Sequence, residues 1–309
     1  MSDVVPGHAA LRLGIDLGGS KIAGVALGGD GAVLAQHRMP APRLDYAATV
    51  RAIGEMAAAL EQKAGRRGTI GIGMPGSISP ASGLVQNANS TWLNGRPFAA
   101  DLEAHLGRAV RLANDANCFA LSEAIDGAGA GAVSVFGVIL GTGCGGGLVY
   151  RGALIDGPHH IGGEWGHNPL PWATPDEHPG PLCWCGRRGC METWVSGPGL
   201  EADHARASGE ALASEKIVER AEAGDAQARA SLDRHASRLA RGLAHVVNIF
   251  DPHIIVLGGG LSKLAHLYQV LPGRIAQHVF ADRVEISVTP PRWGDASGVR
   301  GAAWLWGLP

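Results

Sequence analysis

The sequence has no strong charge bias: 26 Lys plus Arg stand against 28 Asp plus Glu, a formal charge of −2 with its 13 histidines neutral. That balance offers neither a basic nucleic-acid surface nor an acidic tail. No apolar run is long enough to span a membrane. The opening MSDVVPGHAA lacks a cationic stretch followed by an apolar one, so a secretory leader is not expected and a cytoplasmic protein is. G-x-x-x-x-G-K-[ST] does not occur, and no G-x-G-x-x-G opens a helix directly after a strand, which excludes a P-loop and a dinucleotide site. The five cysteines are an odd number, so they cannot all pair as disulfides.

What is present suits a compact globular chain. Hydrophobic residues make up 46% and charged residues 17% of 309 positions, and 47 glycines imply many turns and close backbone approaches. The length points to two domains with cores of their own. Strands are predicted over LRLGIDLG, KIAGVALG and GAVLAQHR from Leu11, joined by glycine turns, and a helix over Tyr46–Ala64. A strand TIGIGMPG, a polar loop NANSTWLNG at 87–95, a short helix through Phe98, Leu102 and Leu106, and a strand VRLAN follow. Asp115 then opens a helix, where the N-terminal amides favour its charge. At Val133 the opening pattern returns as strand VSVFGVIL, glycine turn 141–147 and strand LVYRGAL, which suggests a duplicated α/β architecture. Further on, a strong helix is predicted over Asp225–Phe250, a buried strand over HIIVLGGG, a helix over Leu264–Phe280, an edge strand VEISVTP and a closing helix from Ala296. The expected division is residues 1–127 and 128–295, with helix 296–309 packing back on the first part.

The densest chemistry lies in EWGHNPLPWATPDEHPGPLCWCGRRGCME, from Glu164 to Glu192. His167, Cys183, Cys185 and Cys190 form the thiolate and imidazole set of a closed tetrahedral zinc site, which is structural because four ligands leave no open position. Gly186 and Gly189 supply the dihedrals of a knuckle. A disulfide reading leaves a third local thiol unpaired. A metal-bound histidine aims its second ring nitrogen at a partner that fixes the ring, here a ligand hydroxyl. Glu164 and Glu192 would accept further hydroxyls, so a polyhydroxylated substrate fits; the alternative is that both are solvated loop residues.

Asp16 sits in an apolar strand before Gly18, Gly19, Ser20 and Lys21, where a carboxylate must be paired, coordinated or lining a cleft. It would meet Mg²⁺ on nucleotide phosphates, or merely cap a hairpin. The turns Gly18-Gly19, Gly141-Thr142-Gly143 and Gly258-Gly259-Gly260 are three backbone cradles suited to a triphosphate held between two domains. Asp115 is the candidate general base for phosphoryl transfer and Asn114 a candidate sugar ligand; an N-cap role for Asp115 competes and is compatible.

With these residues in view, the chain resembles the ROK family of bacterial sugar kinases and sugar-responsive repressors. The likeness rests on DLGGSK at 16–21, NDAN at 114–117, GTGCGGG at 141–147, GEWGH at 163–167, CWCGRRGCME at 183–192 and VLGGG at 256–260. Ser20 stands where the family pattern has Thr. The resemblance implies the actin-like ATPase fold of sugar kinases, heat-shock protein 70 and actin, with ATP, Mg²⁺ and sugar meeting between two domains, and a homodimer without nucleic-acid or membrane partners. It implies Asp115 as base, Glu164, His167 and Glu192 as sugar contacts, and zinc on His167, Cys183, Cys185 and Cys190; Asn89 and Asn114 are further candidate sugar contacts. NANSTWLNG and GEWGHNPLPW look most like fructokinases that also accept mannose, so D-fructose phosphorylated at its 6-hydroxyl is expected, with N-acetylglucosamine kinase or glucokinase as the alternative. A sugar-responsive repressor would need a basic recognition helix ahead of the first strand, and a non-catalytic sugar-binding module would be expected to lose Asp115 or the Asp16 turn.

Overall fold

The computed structural model describes residues 11–307. The chain begins with strands β1 (Arg12–Leu17), β2 (Lys21–Leu27) and β3 (Val33–Pro40), helix α1 (Tyr46–Ala64) and strand β4 (Thr69–Met74). A short hairpin of β5 (Ser77–Ile78) and β6 (Val85–Gln86), helix α2 (Phe98–Leu106), strand β7 (Val110–Asn114) and helix α3 (Asp115–Ile125) follow. The first large sheet has order β3-β2-β1-β4-β7, with β1, β2 and β3 antiparallel and β1, β4 and β7 parallel.

The second half repeats that plan. Strands β8 (Ser134–Leu140), β9 (Cys144–Tyr150) and β10 (Ala153–Leu154) precede helices α4 (Glu192–Val195), α5 (Gly197–Ser208), α6 (Ser214–Glu222) and α7 (Ala226–Phe250). Strand β11 (Ile254–Gly258), helix α8 (Ala265–Ala276), strand β12 (Val288–Thr289) and helix α9 (Ser297–Trp304) complete the chain. The order β10-β9-β8-β11-β12, with an antiparallel hairpin at one side and parallel strands at the other, mirrors the first sheet. The duplication expected from the sequence is therefore present in the strand order. Among the described residues no helix is long and apolar enough to cross a membrane.

Several predicted elements are shorter than expected. The stretch 141–147 was predicted as one glycine turn, but only residues 141–143 turn, and Gly145, Gly146 and Gly147 pair in β9. Their bare backbones serve packing: a Cβ on Gly147 would stand 2.7 Å from the Ala120 methyl, and one on Gly137 of β8 2.6 Å from it. Helix α3 thus lies directly on the hairpin. The predicted edge strand over VEISVTP shrinks to Val288–Thr289, which pairs with Ile255 and Val256 of β11. The predicted helix to Phe280 stops at Ala276, and the closing helix begins at Ser297.

Helix α7 runs as the apolar spacing requires, capped by Asp225, whose carboxylate accepts from the Gln227 and Ala228 amides. Its buried stripe includes Leu232, Leu239, Leu243 and Val246, each worth about 1.5–3 kcal/mol if fully buried. Helix α9 packs on β1, β4 and α3. Glycine permits that approach: a Cβ on Gly14 would come within 2.0 Å of the Val299 carbonyl oxygen, and one on Gly71 within 1.8 Å of that of Ala302.

A buried ion cluster fastens α7 to the long segment before α4. Glu177 accepts from Arg238 Nε and Arg241 Nη2 at 2.8 Å through one oxygen, and from Arg241 Nη1 at 2.8 Å and the Thr174 amide at 3.0 Å through the other. Burial works to raise its carboxyl pKa, but the hydrogen bonds from Arg241 and Arg238 outweigh it and hold it at about 2. Arg241 also donates to the Trp172 carbonyl at 2.7 Å, so the cluster positions the segment that carries the cysteines. Glu177→Ala leaves two buried guanidiniums short of a partner and should destabilise the fold by about 3–5 kcal/mol in urea unfolding; a loss below about 0.5 kcal/mol, typical of a surface change, would contradict this role.

Candidate active site

Asp115 is the first residue of α3, immediately after β7. The helix cap is Asn114 rather than Asp115: Asn114 Oδ1 accepts from the Ala116 amide at 2.9 Å, and its Nδ2 donates to the Gly76 carbonyl at 3.3 Å. The Asn114 amide is thus occupied in fixing the β7 to α3 turn. Asp115 Oδ1 accepts from the same Ala116 amide at 2.8 Å. Its side chain reaches solvent, yet the protein surrounds it closely enough that lost hydration raises its pKa against the hydrogen bonds that lower it.

Asp16, near the end of β1, lies within the field of Asp115. Burial and then the Asp115 charge raise its carboxyl pKa to about 6, against the opposing charge of Lys21. A Cβ built on Gly73 or Gly298 would stand 3.7 or 3.9 Å from the Asp16 carboxylate, so β4 and the first turn of α9 flank it. After it, the Gly18 amide donates to the Lys21 carbonyl at 3.1 Å and closes a tight turn that leaves Gly19, Ser20 and Lys21 exposed.

Glu164 and Glu192 continue this row of carboxylates. Glu164 stands just before a 3₁₀ turn at Trp165–His167, with its pKa raised first by burial and further by Asp115 and Glu192, while His167 lowers it. Glu192, the first residue of α4, accepts from the Cys144 amide at 3.0 Å through Oε2 and from the Trp184 indole at 2.7 Å through Oε1. The structure therefore places Asp16, Asp115, Glu164 and Glu192 in one electrostatic neighbourhood. Asn89 is exposed on the 87–95 loop, and among the described residues no hydrogen bond ties it to them. That loop is shaped by Asn94, which exchanges two 2.9 Å hydrogen bonds with the Ala88 backbone.

Two of the three glycine turns meet. Gly259 has φ +80, in the left-handed region, and a Cβ there would lie 2.4 Å from the Leu140 carbonyl oxygen. The Gly258–Gly260 turn therefore rests against the strand end that leads into Gly141, Thr142 and Gly143. Gly143 in turn abuts Glu192, whose Oε2 would be 2.7 Å from an added Cβ. The Gly18–Ser20 turn is on the other sheet and joins the site through Asp16.

His167, Cys183, Cys185 and Cys190 present one ligand atom each, all within 4.8 Å of one another. The His167 Nδ1 to Cys183 Sγ and Cys185 Sγ to Cys190 Sγ distances are both 3.6 Å. Tetrahedral coordination with zinc-like bond lengths sets neighbouring ligand atoms roughly 3.6–3.8 Å apart, so the donor set fits such an ion. Left-handed Gly186 and Gly189 form the knuckle. Cys118 and Cys144 are buried, which raises both thiol pKa values.

Two features escaped sequence reasoning. The His160 ring lies 3.0 Å from the Ile78 carbonyl and Gln86 donates to the His159 carbonyl at 3.3 Å, so this loop fastens to the β5–β6 hairpin; no local pattern signals it. Trp184 packs edge-on against His167, with ring centroids 5.0 Å apart, while bonding Glu192. An aromatic between two clustered cysteines was the available sign.

Comparison with known proteins identifies the family and the fold. The ROK family profile matches residues 12–307. An N-acetyl-D-glucosamine kinase of Photobacterium profundum is 42% identical over 297 residues, covering 94% of this chain and 98% of the relative, and one of Yersinia enterocolitica is 38% identical over 296 residues with the same coverage. Among solved structures, a ROK hexokinase from Thermus thermophilus superposes with TM-score 0.85 at 32% identity, covering 96% of this chain and 97% of that one. A ROK glucokinase from Streptomyces griseus, solved with glucose and AMPPNP, gives 0.74 at 28% identity, covering 96% and 99%. The duplicated sheets are those of the actin-like ATPase fold, and the chain belongs to the ROK family.

Proposed function

We propose that the chain is an ATP-dependent hexose kinase acting on the 6-hydroxyl of N-acetyl-D-glucosamine. The observation that carries the choice of sugar is the 38–42% identity, across 94% of the chain, to relatives described as N-acetyl-D-glucosamine kinases. The likeness of segments 87–95 and 163–172 to fructokinases covers far less sequence, so D-fructose, with mannose beside it, stands second. The assignment is to a cytoplasmic enzyme that works as a homodimer.

Residues 1–127 with the last helix, and residues 128–295, form the two lobes; the repeated strand order and the packing of α9 on β1 and β4 support that division. ATP and sugar meet between them. The turns at Gly18–Lys21, Gly141–Gly143 and Gly258–Gly260 would hold the nucleotide, and Asp16 would hold the magnesium that neutralises phosphate charge. Asn89, Asn114, Glu164, His167 and Glu192 orient the sugar, the Asn114 side chain also holding its own turn.

The sugar hydroxyl oxygen bonds to the γ-phosphorus as the bond to ADP breaks, and Asp115 receives the hydroxyl proton. Its raised pKa, caused first by lost hydration, strengthens it as a base. His167, Cys183, Cys185 and Cys190 would hold a structural zinc, which would fix the knuckle so that His167 Nε2 and Glu192 keep one orientation.

In an ADP-release assay with Mg-ATP, N-acetylglucosamine should be used in preference to fructose, mannose, glucose and N-acetylmannosamine. Preference for fructose would reverse the order of the two sugars, and turnover with none would remove the kinase assignment. Asp115→Asn should keep sugar binding and lower turnover by roughly 10²–10⁴-fold; activity near wild type would remove Asp115 as base. Cys185→Ser should lower zinc content measured by elemental analysis together with thermal stability, since binding energy contributes to folding. Normal zinc with unchanged stability would exclude the site.

A further inference from the structure

The aromatic side chain between the two knuckle cysteines is bound to the site in two ways. Trp184 is 66% exposed, so its apolar ring has no core to fill. Its indole N–H donates to Glu192 Oε1 at 2.7 Å, a hydrogen bond to a charged acceptor. Its ring meets the His167 imidazole at an interplanar angle of 85°. The other Glu192 oxygen is held by the Cys144 amide at 3.0 Å. Glu192 is therefore clamped at both ends; Oε1 also lies 4.0 Å from Cys183 Sγ, while Oε2, held by the Cys144 amide, keeps a second lone pair to offer a ligand hydroxyl.

We propose that Trp184 is a positioning and specificity residue for the sugar. It aims the free lone pair of Glu192 at a sugar hydroxyl, and its exposed ring forms an apolar wall for the carbon face of a pyranose. This rests on the reading of Glu192 and His167 as sugar ligands. A tryptophan serving only to fill space on the knuckle would need neither the indole donor nor the contact with His167. Phenylalanine at this position keeps the ring and deletes the donor.

The test compares wild type, Trp184→Phe and Trp184→Ala by steady-state kinetics with N-acetylglucosamine and fructose, and by calorimetric binding of each sugar. Zinc content is measured on every sample, because the residue lies between two cysteines of the metal cluster. Trp184→Phe should raise the sugar KM about 10-fold, the scale of one lost hydrogen bond to a charged group. The KM for ATP and the zinc content should be unchanged, and Trp184→Ala should bind sugar more weakly still and lose discrimination between the two sugars. A sugar KM for Trp184→Phe equal to wild type at normal zinc content overturns the inference and leaves the kinase reading standing. Equal weakening of sugar and ATP also overturns it, since that marks a general structural defect. A zinc-loaded wild-type chain that binds neither sugar overturns both readings.

Discussion

The site depends on two helices touching backbone to backbone. A Cβ on Gly301 of α9 would lie 1.6 Å from the Cys118 carbonyl oxygen of α3, so only glycine allows the contact. Helix α3 rests on β8 and β9, and α9 on β1 and β4. One buried cluster, including Val25, Phe119, Val135, Val256, Val299 and Trp304, runs through both sheets and both helices. The start of α3 carries Asp115, and the first turn of α9 flanks Asp16. The same close packing therefore joins the two sheets and sets the two carboxylates beside each other.

A second constraint is electrostatic. Four carboxylates in one neighbourhood repel, and burial raises the pKa of Asp16, Asp115 and Glu164. Such a row persists only because the scaffold pays for it elsewhere, through the buried Glu177, Arg238, Arg241 and Asp203 cluster and the two apolar cores. Bound cations and hydroxyl donors relieve the repulsion. The arrangement thus favours a ligand that brings both a metal-complexed phosphate chain and several hydroxyls.

Much of this was legible in the sequence because the signals were local. The spacing of His167, Cys183, Cys185 and Cys190, whose donor atoms the fold brings together, and the carboxylate in an apolar strand at Asp16 stand out within a few residues. The duplicated fold was visible because the hairpin around Gly18 and the one around Gly141 repeat the same strand and turn pattern. Glycines 145–147 misled, since a strand that must admit a helix uses the same residue as a turn. Asn114 as cap and Asn94 as the shaper of its loop depend on dihedrals that composition does not reveal. The clamp on Glu192 joins residues 144, 184 and 192 across a fold, and no spacing rule reaches that far. The preferred sugar was the least legible feature, because a ketohexose and an acetamido aldohexose offer similar hydroxyls and differ in the anomeric carbon and the acetamido group, neither of which a motif encodes.

The most direct measurement is phosphorus NMR with mass analysis of the sugar after incubation with Mg-ATP and N-acetylglucosamine. The account predicts a phosphomonoester on the 6-oxygen of the sugar, formed in equal amount to the ADP released. ATP consumed to inorganic phosphate with the sugar unchanged, or a phosphate on any other oxygen, would contradict it.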